Sequence, residues 1–279
     1  MKPGVLRTLQ RALKYTIALS IAGLLQAGCA TVTTTAEARL PSATIAYALL
    51  GDSGPSVVLQ AGLGDGKSVW SRIAGDLSRD HRVLAFDRPG YGDSPARTNT
   101  RDPCTIAAEQ HELLAHSGLR PPYILVGHSL GGLYQFVYAK RYPEQVAALV
   151  LVDATHPAHW GRMQSEAPAV ATMLKGMRNT VFGPTMRQEF DAQETCLDSL
   201  DLTQPLRVPV RLLVRSEFGV LEQGAFERLV HTLERDWQAL SGAVQVERVN
   251  GSRHYIQKER PAAVLAAVRD LSLPAGETP

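Results

Sequence analysis

From Ile45 onward the chain alternates between two hydrophobic patterns. Stretches that are apolar at nearly every position read as strands. These are Thr44 to Leu50, Ser56 to Gln60, Arg82 to Phe86, Tyr123 to Val126, Val146 to Val152, Val208 to Val214 and Val244 to Val249. Between them lie stretches with apolar residues at helical spacing. Lys67 to Arg79 places Val69, Trp70, Ile73 and Leu77 on one face, and Ile106 to Ser117, Leu133 to Tyr142, Ala225 to Leu240 and Pro261 to Leu271 behave alike. Pro261 suits a first helical turn, where its missing N–H has no partner to lose. Strands apolar on both faces, alternating with amphipathic helices, predict an α/β fold: a mostly parallel sheet covered by helices on each side.

Residues 156–206 break this rhythm. They contain no clear strand and hold four of the five methionines, Met163, Met173, Met177 and Met186. The segment is expected to be a helical cap inserted over the C-terminal edge of the sheet, where open α/β sheets bind ligands. Flexible thioether side chains suit an adaptable apolar pocket there.

With 279 residues, 44% of them hydrophobic, the chain can build one large core. The formal charge of +2 misleads, because residues 1–28 carry Lys2, Arg7, Arg11 and Lys14 and no acid. Removing those 4 from the 29 basic residues leaves 25 against 27 acidic ones, a net charge of −2. No basic patch points to nucleic acid.

The N-terminus reads as an export signal. A basic segment through Lys14 precedes an apolar stretch, Tyr15 to Leu25, shorter than the roughly 20 residues that span a bilayer. Gln26-Ala27-Gly28-Cys29-Ala30 and a Thr-rich run, Thr31 to Thr35, follow. Ala27-Gly28-Cys29 resembles the bacterial lipoprotein cleavage box, although Gln26 stands where that box usually has Leu. The expected organisation is a leader over 1–28, lipidated Cys29 as the first mature residue, a linker over 29–40 and a catalytic domain over 41–279. That implies an exported periplasmic or outer-membrane lipoprotein, touching the membrane only through its anchor. In an oxidising compartment the remaining pair, Cys104 and Cys196, suggests a disulfide.

The chemistry-bearing motif is Gly127-His128-Ser129-Leu130-Gly131-Gly132, directly after an apolar strand and before a helix. This is the Gly-x-Ser-x-Gly nucleophile-elbow pattern, with small residues flanking a tight turn that presents the Ser129 hydroxyl. A serine hydroxyl needs a base. Among eight histidines, His254 is best placed, in the loop after the last strand. His128 reads as packing and loop order; His81, His111, His116 and His231 read as surface or helix-face residues. Asp153, His156 and His159 do not make a convincing metal set, because Pro157 interrupts any shared helical face.

Four motifs together resemble an α/β-hydrolase of the Ser-acid-His type. They are Ala61-Gly62-Leu63-Gly64, Phe86-Asp87-Arg88-Pro89-Gly90-Tyr91-Gly92-Asp93-Ser94, the elbow, and Gly251-Ser252-Arg253-His254-Tyr255. The resemblance implies an eight-stranded, mostly parallel sheet, serine-esterase or lipase-like activity without cofactor or metal, and a small, partly apolar ester as substrate. It also implies an oxyanion hole from the N–H groups of Leu63 and Leu130. Gln60-Ala61-Gly62 replaces the family's usual His-Gly at that loop. The Asp87 to Ser94 run reads as a rigid loop shaping the sheet edge.

The acid stays open between two residues. The family's common position, after Val208 to Val214, reads Arg215-Ser216-Glu217-Phe218-Gly219, with Phe218 where an aspartate is expected. Glu217 is one residue away, and Asp153 ends the strand Val146 to Val152. The same triad also serves C–C bond hydrolysis, lactone opening and cofactor-free haloperoxidase chemistry. Epoxide hydrolases and dehalogenases of this fold use an aspartate where Ser129 stands. The missing family aspartate leaves a third reading, a surface-anchored binding protein without catalysis.

Overall fold

The computed structural model describes residues 32–98 and 100–272. The leader over 1–28 and Cys29 lie outside the described residues. Eight strands form one sheet: β1 (Ala36–Arg39), β2 (Thr44–Leu50), β3 (Ser56–Gln60), β4 (Arg82–Phe86), β5 (Tyr123–His128), β6 (Val146–Val152), β7 (Val210–Arg215) and β8 (Val246–Val249). Their spatial order is β1-β2-β4-β3-β5-β6-β7-β8. The β1–β2 and β2–β4 pairs are antiparallel, and the remaining pairs are parallel.

The near-continuous apolar strands are buried on both faces, as their composition requires. Along β5, Leu125 enters one core and Ile124 and Val126 the other; along β6, Leu149 and Leu151 oppose Ala148, Val150 and Val152. One core is closed by α2 (Pro103–Ser117), α3 (Leu130–Arg141) and Trp237 of α7 (Ala225–Ser241). The other is closed by Trp70, Ile73, the short α1 (Ala74–Leu77), Ile256 of α8 (Ile256–Glu259) and α9 (Pro261–Ser272).

Two expectations need correction. The linker expected over 29–40 instead contributes β1, whose Ala38 is fully buried and which turns into β2 through Leu40 N–H to Ala43 O, 2.8 Å. The amphipathic stretch Lys67 to Arg79 is not one helix. It is a 3₁₀ turn over Lys67–Trp70, then α1. The Asp87 carboxylate takes the Lys67 N–H (2.7 Å) and ammonium (2.6 Å), pinning the start of the segment, and bonds of the tighter three-residue type follow at Val69, Ser71 and Ile73.

Between β6 and β7 the cap contains α4 (His159–Glu166), α5 (Pro168–Thr180) and α6 (Pro184–Ala192). Met163, Ala167 and Ala171 of the cap pack with Phe226, Leu229 and Leu233 of α7 in a separate apolar cluster. Cys104, at the start of α2, is bonded to Cys196, just past α6. Among the described residues no helix is long and apolar enough to cross a membrane.

The disulfide closes a loop of 92 residues, so its loss frees the unfolded chain. The Cys104→Ser/Cys196→Ser double variant is expected to lose about 2–4 kcal/mol of stability, read as a lower denaturant midpoint than the wild type under oxidising conditions.

Candidate active site

Four strands adjacent in the sheet, β5, β6, β7 and β8, each deliver one polar residue at or just beyond their C-terminal ends: Ser129, Asp153, Arg215 and His254. Parallel register makes this convergence unavoidable, since His128 pairs with Val152, Val152 with Leu213, and Arg215 with Val249.

Ser129 sits between β5 and α3 at φ 52°, ψ −125°. A non-glycine residue there is strained, by about 1–3 kcal/mol. The surrounding bonds hold it: Ser129 N–H donates to Val152 O (3.1 Å), and Ser129 O accepts from Gly132 N (2.9 Å) and Thr155 N (2.9 Å). The flanking glycines are required by space. A Cβ on Gly131 would lie 2.4 Å from both Gln60 O and Ala61 O, and one on Gly132 would lie 2.4 Å from Ala154 Cβ. Strand, turn and helix therefore interlock only if these positions carry no side chain.

His254 Nδ1 lies 2.6 Å from Asp153 Oδ2. Asp153 is buried and also accepts from Arg215 N (3.2 Å) and Nε (2.8 Å). Burial alone would raise this carboxyl's pKa; the Arg215 charge and the hydrogen bonds from His254 and Arg215 outweigh it and hold the group well below the ordinary carboxylate range. An ionised carboxylate only accepts and a guanidinium only donates, and His254 Nδ1 meets both, Asp153 Oδ2 at 2.6 Å and Arg215 Nη2 at 2.8 Å. Arg215 Nη1 is in turn paired with Glu222 at 2.8 Å. Glu217 stands apart, its side chain 53% exposed and its carboxylate 3.7 Å from Arg253.

His128 does more than pack. Its Nε2 donates to the backbone O of His254 at 2.9 Å, and burial pushes its pKa far down, so it stays neutral. It thus ties the loop that carries His254 to β5. Arg215 escaped sequence reasoning because an arginine closing an apolar strand reads as a solvated charge. The one signal was its place in the segment where the family carries its acid.

Ser129, His254, Asp153, Leu63 and Leu130 all line one cavity of about 280 Å³ beneath the cap. Among the described residues the Leu63 and Leu130 N–H groups have no hydrogen-bond partner. The far wall is apolar and aromatic, with Trp160, Met163, Phe182, Phe190, Phe226 and Trp237. Of the four cap methionines only Met163 is in this lining; Met173 and Met177 are exposed. His156 and His159 also face the cavity, and burial pushes both down to about 4. They do not gather with Asp153 into a metal set. Among the described residues the trio of suitable ligand atoms is Asp102, Cys104 and Cys196, whose sulfurs are bonded to each other.

The α/β-hydrolase fold model matches residues 55–193, and the eight-stranded, mostly parallel sheet has the α/β-hydrolase fold. The chain is 32% identical over 84 residues to "Uncharacterized protein YbdG" of Bacillus subtilis, covering 30% of this chain and 26% of that one. It is 36% identical over 102 residues to "Putative carbamate hydrolase RutD" of Variovorax paradoxus, covering 36% of this chain and 38% of that one. The matches therefore span about a quarter to two fifths of these curated relatives. The epoxide hydrolase CorEH superimposes with a TM-score of 0.63 at 20% identity, over 85% of this chain and 97% of that one, a likeness of fold.

These environments fix an acid response. An imidazole held at about 4 in the fold but near 6.5 when unfolded binds its proton more readily in the unfolded chain. Stability is then full above pH about 6.5 and falls as the pH drops toward 4. Asp153, also lowered but from the ordinary carboxylate value, adds a loss of the same sign only in stronger acid. Urea midpoints between pH 7 and 4.5 are expected to decline in the wild type, and His159→Gln to flatten that limb by about 1–3 kcal/mol.

Proposed function

We propose that the protein is a serine hydrolase that cleaves carboxylic esters through an acyl-enzyme. The observation that carries this reading is the contact between His254 Nδ1 and Asp153 Oδ2 at 2.6 Å, in the cavity that also holds the strained Ser129. His254 Nε2 takes the Ser129 proton as Oγ attacks the ester carbonyl. The Leu63 and Leu130 N–H groups receive the developing oxyanion, Leu130 with the added field of the α3 N-terminus. Collapse of the tetrahedral species expels the alkoxide, which takes the proton from His254. Water repeats the cycle and releases the carboxylic acid. Asp153 holds the Nδ1–H tautomer and stabilises the imidazolium that forms in each half.

The cavity supports a substrate of modest size with an apolar or aromatic portion against Trp160, Phe182 and Phe226. The relative named a carbamate hydrolase makes a carbamate a related acyl group within reach of the same attack. The leader and Cys29 support an exported enzyme tethered by lipid at its N-terminus.

A fluorophosphonate probe is expected to label Ser129 in the wild type. Ser129→Ala is expected to lose on the order of 10⁶ in kcat on a small aryl ester; an unaltered rate would remove the nucleophile. Asp153→Asn is expected to cost about 10⁴ in kcat, while Glu217→Gln stays within about twofold. The reverse outcome would transfer the acid's role to Glu217.

A further inference from the structure

We propose that Arg88 is the positioning residue of the oxyanion loop, and that it makes the donor geometry of Leu63 depend on the docked cap. The inference rests on the serine-hydrolase reading above.

Arg88 follows β4, inside the run Asp87 to Ser94, and is only 2% exposed. Its guanidinium donates from Nη1 to Ala61 O at 2.6 Å and from Nη2 to Gly62 O at 2.8 Å. The second bond has a direct geometric consequence. Gly62 C=O and Leu63 N–H belong to one planar trans peptide unit. Fixing the direction of the oxygen fixes the direction of the N–H on the opposite side. A single hydrogen bond to Gly62 thus aims the donor that the oxyanion would meet.

The same guanidinium also binds the cap. Nε donates to Glu189 Oε1 at 2.9 Å and Nη2 to Glu189 Oε2 at 2.8 Å, a bidentate pair with a carboxylate on α6. Glu189 is fully buried and takes two further bonds, from Arg101 Nη2 (2.9 Å) and Tyr91 OH (3.0 Å). Arg101 in turn binds Glu109 of α2 at 2.7 Å. Two cations and two anions balance, so Arg88 is held in charge as well as in shape, between the rings of Tyr91 and Tyr134 at 4.9 and 5.2 Å. Only a planar fork reaches both carbonyls and the carboxylate at once; the lysine ammonium is a point charge.

An ester carbonyl is a weaker acceptor than the oxyanion it becomes, so misaiming Leu63 N–H weakens the transition state more than the bound substrate. The test compares Arg88→Lys, Glu189→Gln and wild type, as full chains, by kcat and KM on a small aryl ester and by the rate at which a fluorophosphonate labels Ser129. For folded Arg88→Lys the expected result is a fall on the order of 10² in kcat and in labelling rate, with KM little changed. Glu189→Gln, which keeps the shape and removes the charge, is expected to lose about tenfold by the same two readouts. Val264→Ala, thinning the core beneath α9, controls for lost stability and is expected to leave both rates unchanged.

Wild-type rates in folded Arg88→Lys, or a loss confined to KM, would overturn the inference. Should Arg88→Lys fail to fold, wild-type rates in Glu189→Gln would overturn it equally. Absence of labelling in the wild type would instead overturn the serine-hydrolase reading, and this inference with it.

Discussion

The buried negative charge of Asp153 organises the C-terminal edge of the sheet. It is surrounded by Arg215 N and Nε and by His254 Nδ1, with Glu222 balancing Arg215 from the far side. The result is a row of alternating charge drawn from β6, β7, the loop after β7 and the loop after β8. A buried charge that loses its partner is strongly destabilising, while the complete pair contributes little net stability. Such a row therefore acts mainly on correctness. A one-residue slip of β6 or β7 would turn Asp153 or Arg215 to the other face and strand an ion in the core. The register that buries the apolar residues is the same register that assembles the site.

A second cluster, around Arg88, shows the same device. Arg88, Glu189, Arg101 and Glu109 form a second closed set of charges, this time joining the loop after β3, the loop after β4, α2 and the cap. Between the two sets stands Ser129, whose strained backbone is tolerated because Val152, Gly132 and Thr155 hold it on three sides. Rigid ionic clusters flanking a strained turn give preorganisation without a large polar cavity.

The sheet was legible because strands such as β4 and β6 are continuous apolar runs with sharp ends. β1 was not, because only Ala38 of its four residues is buried, while Glu37 and Arg39 look like linker. Ser129 and His254 could be singled out as candidates by motif and chain order. The acid could not, because both candidates follow a strand, and strand identity does not reveal which way a loop carboxylate turns. In three dimensions the Phe218 ring lies 5.4 Å from the Arg215 guanidinium and Glu217 turns to Arg253, leaving Asp153 against His254. What Arg215 and Arg88 bind could not be read from the sequence, for a common reason. Their partners are 62 and 101 residues away, so no local pattern shows what they bind.

The cap is fastened at more points than its chain connections require. It leaves the body at β6 and returns at β7, yet Cys196 is also bonded to Cys104, and Glu189 is sunk among Arg88 and Arg101. Swinging it open would break a covalent bond or drag an ion out of its only compensating surroundings. Such a roof does not behave as a hinged lid. The part of the cavity roofed by those two attachments is therefore set when the protein folds.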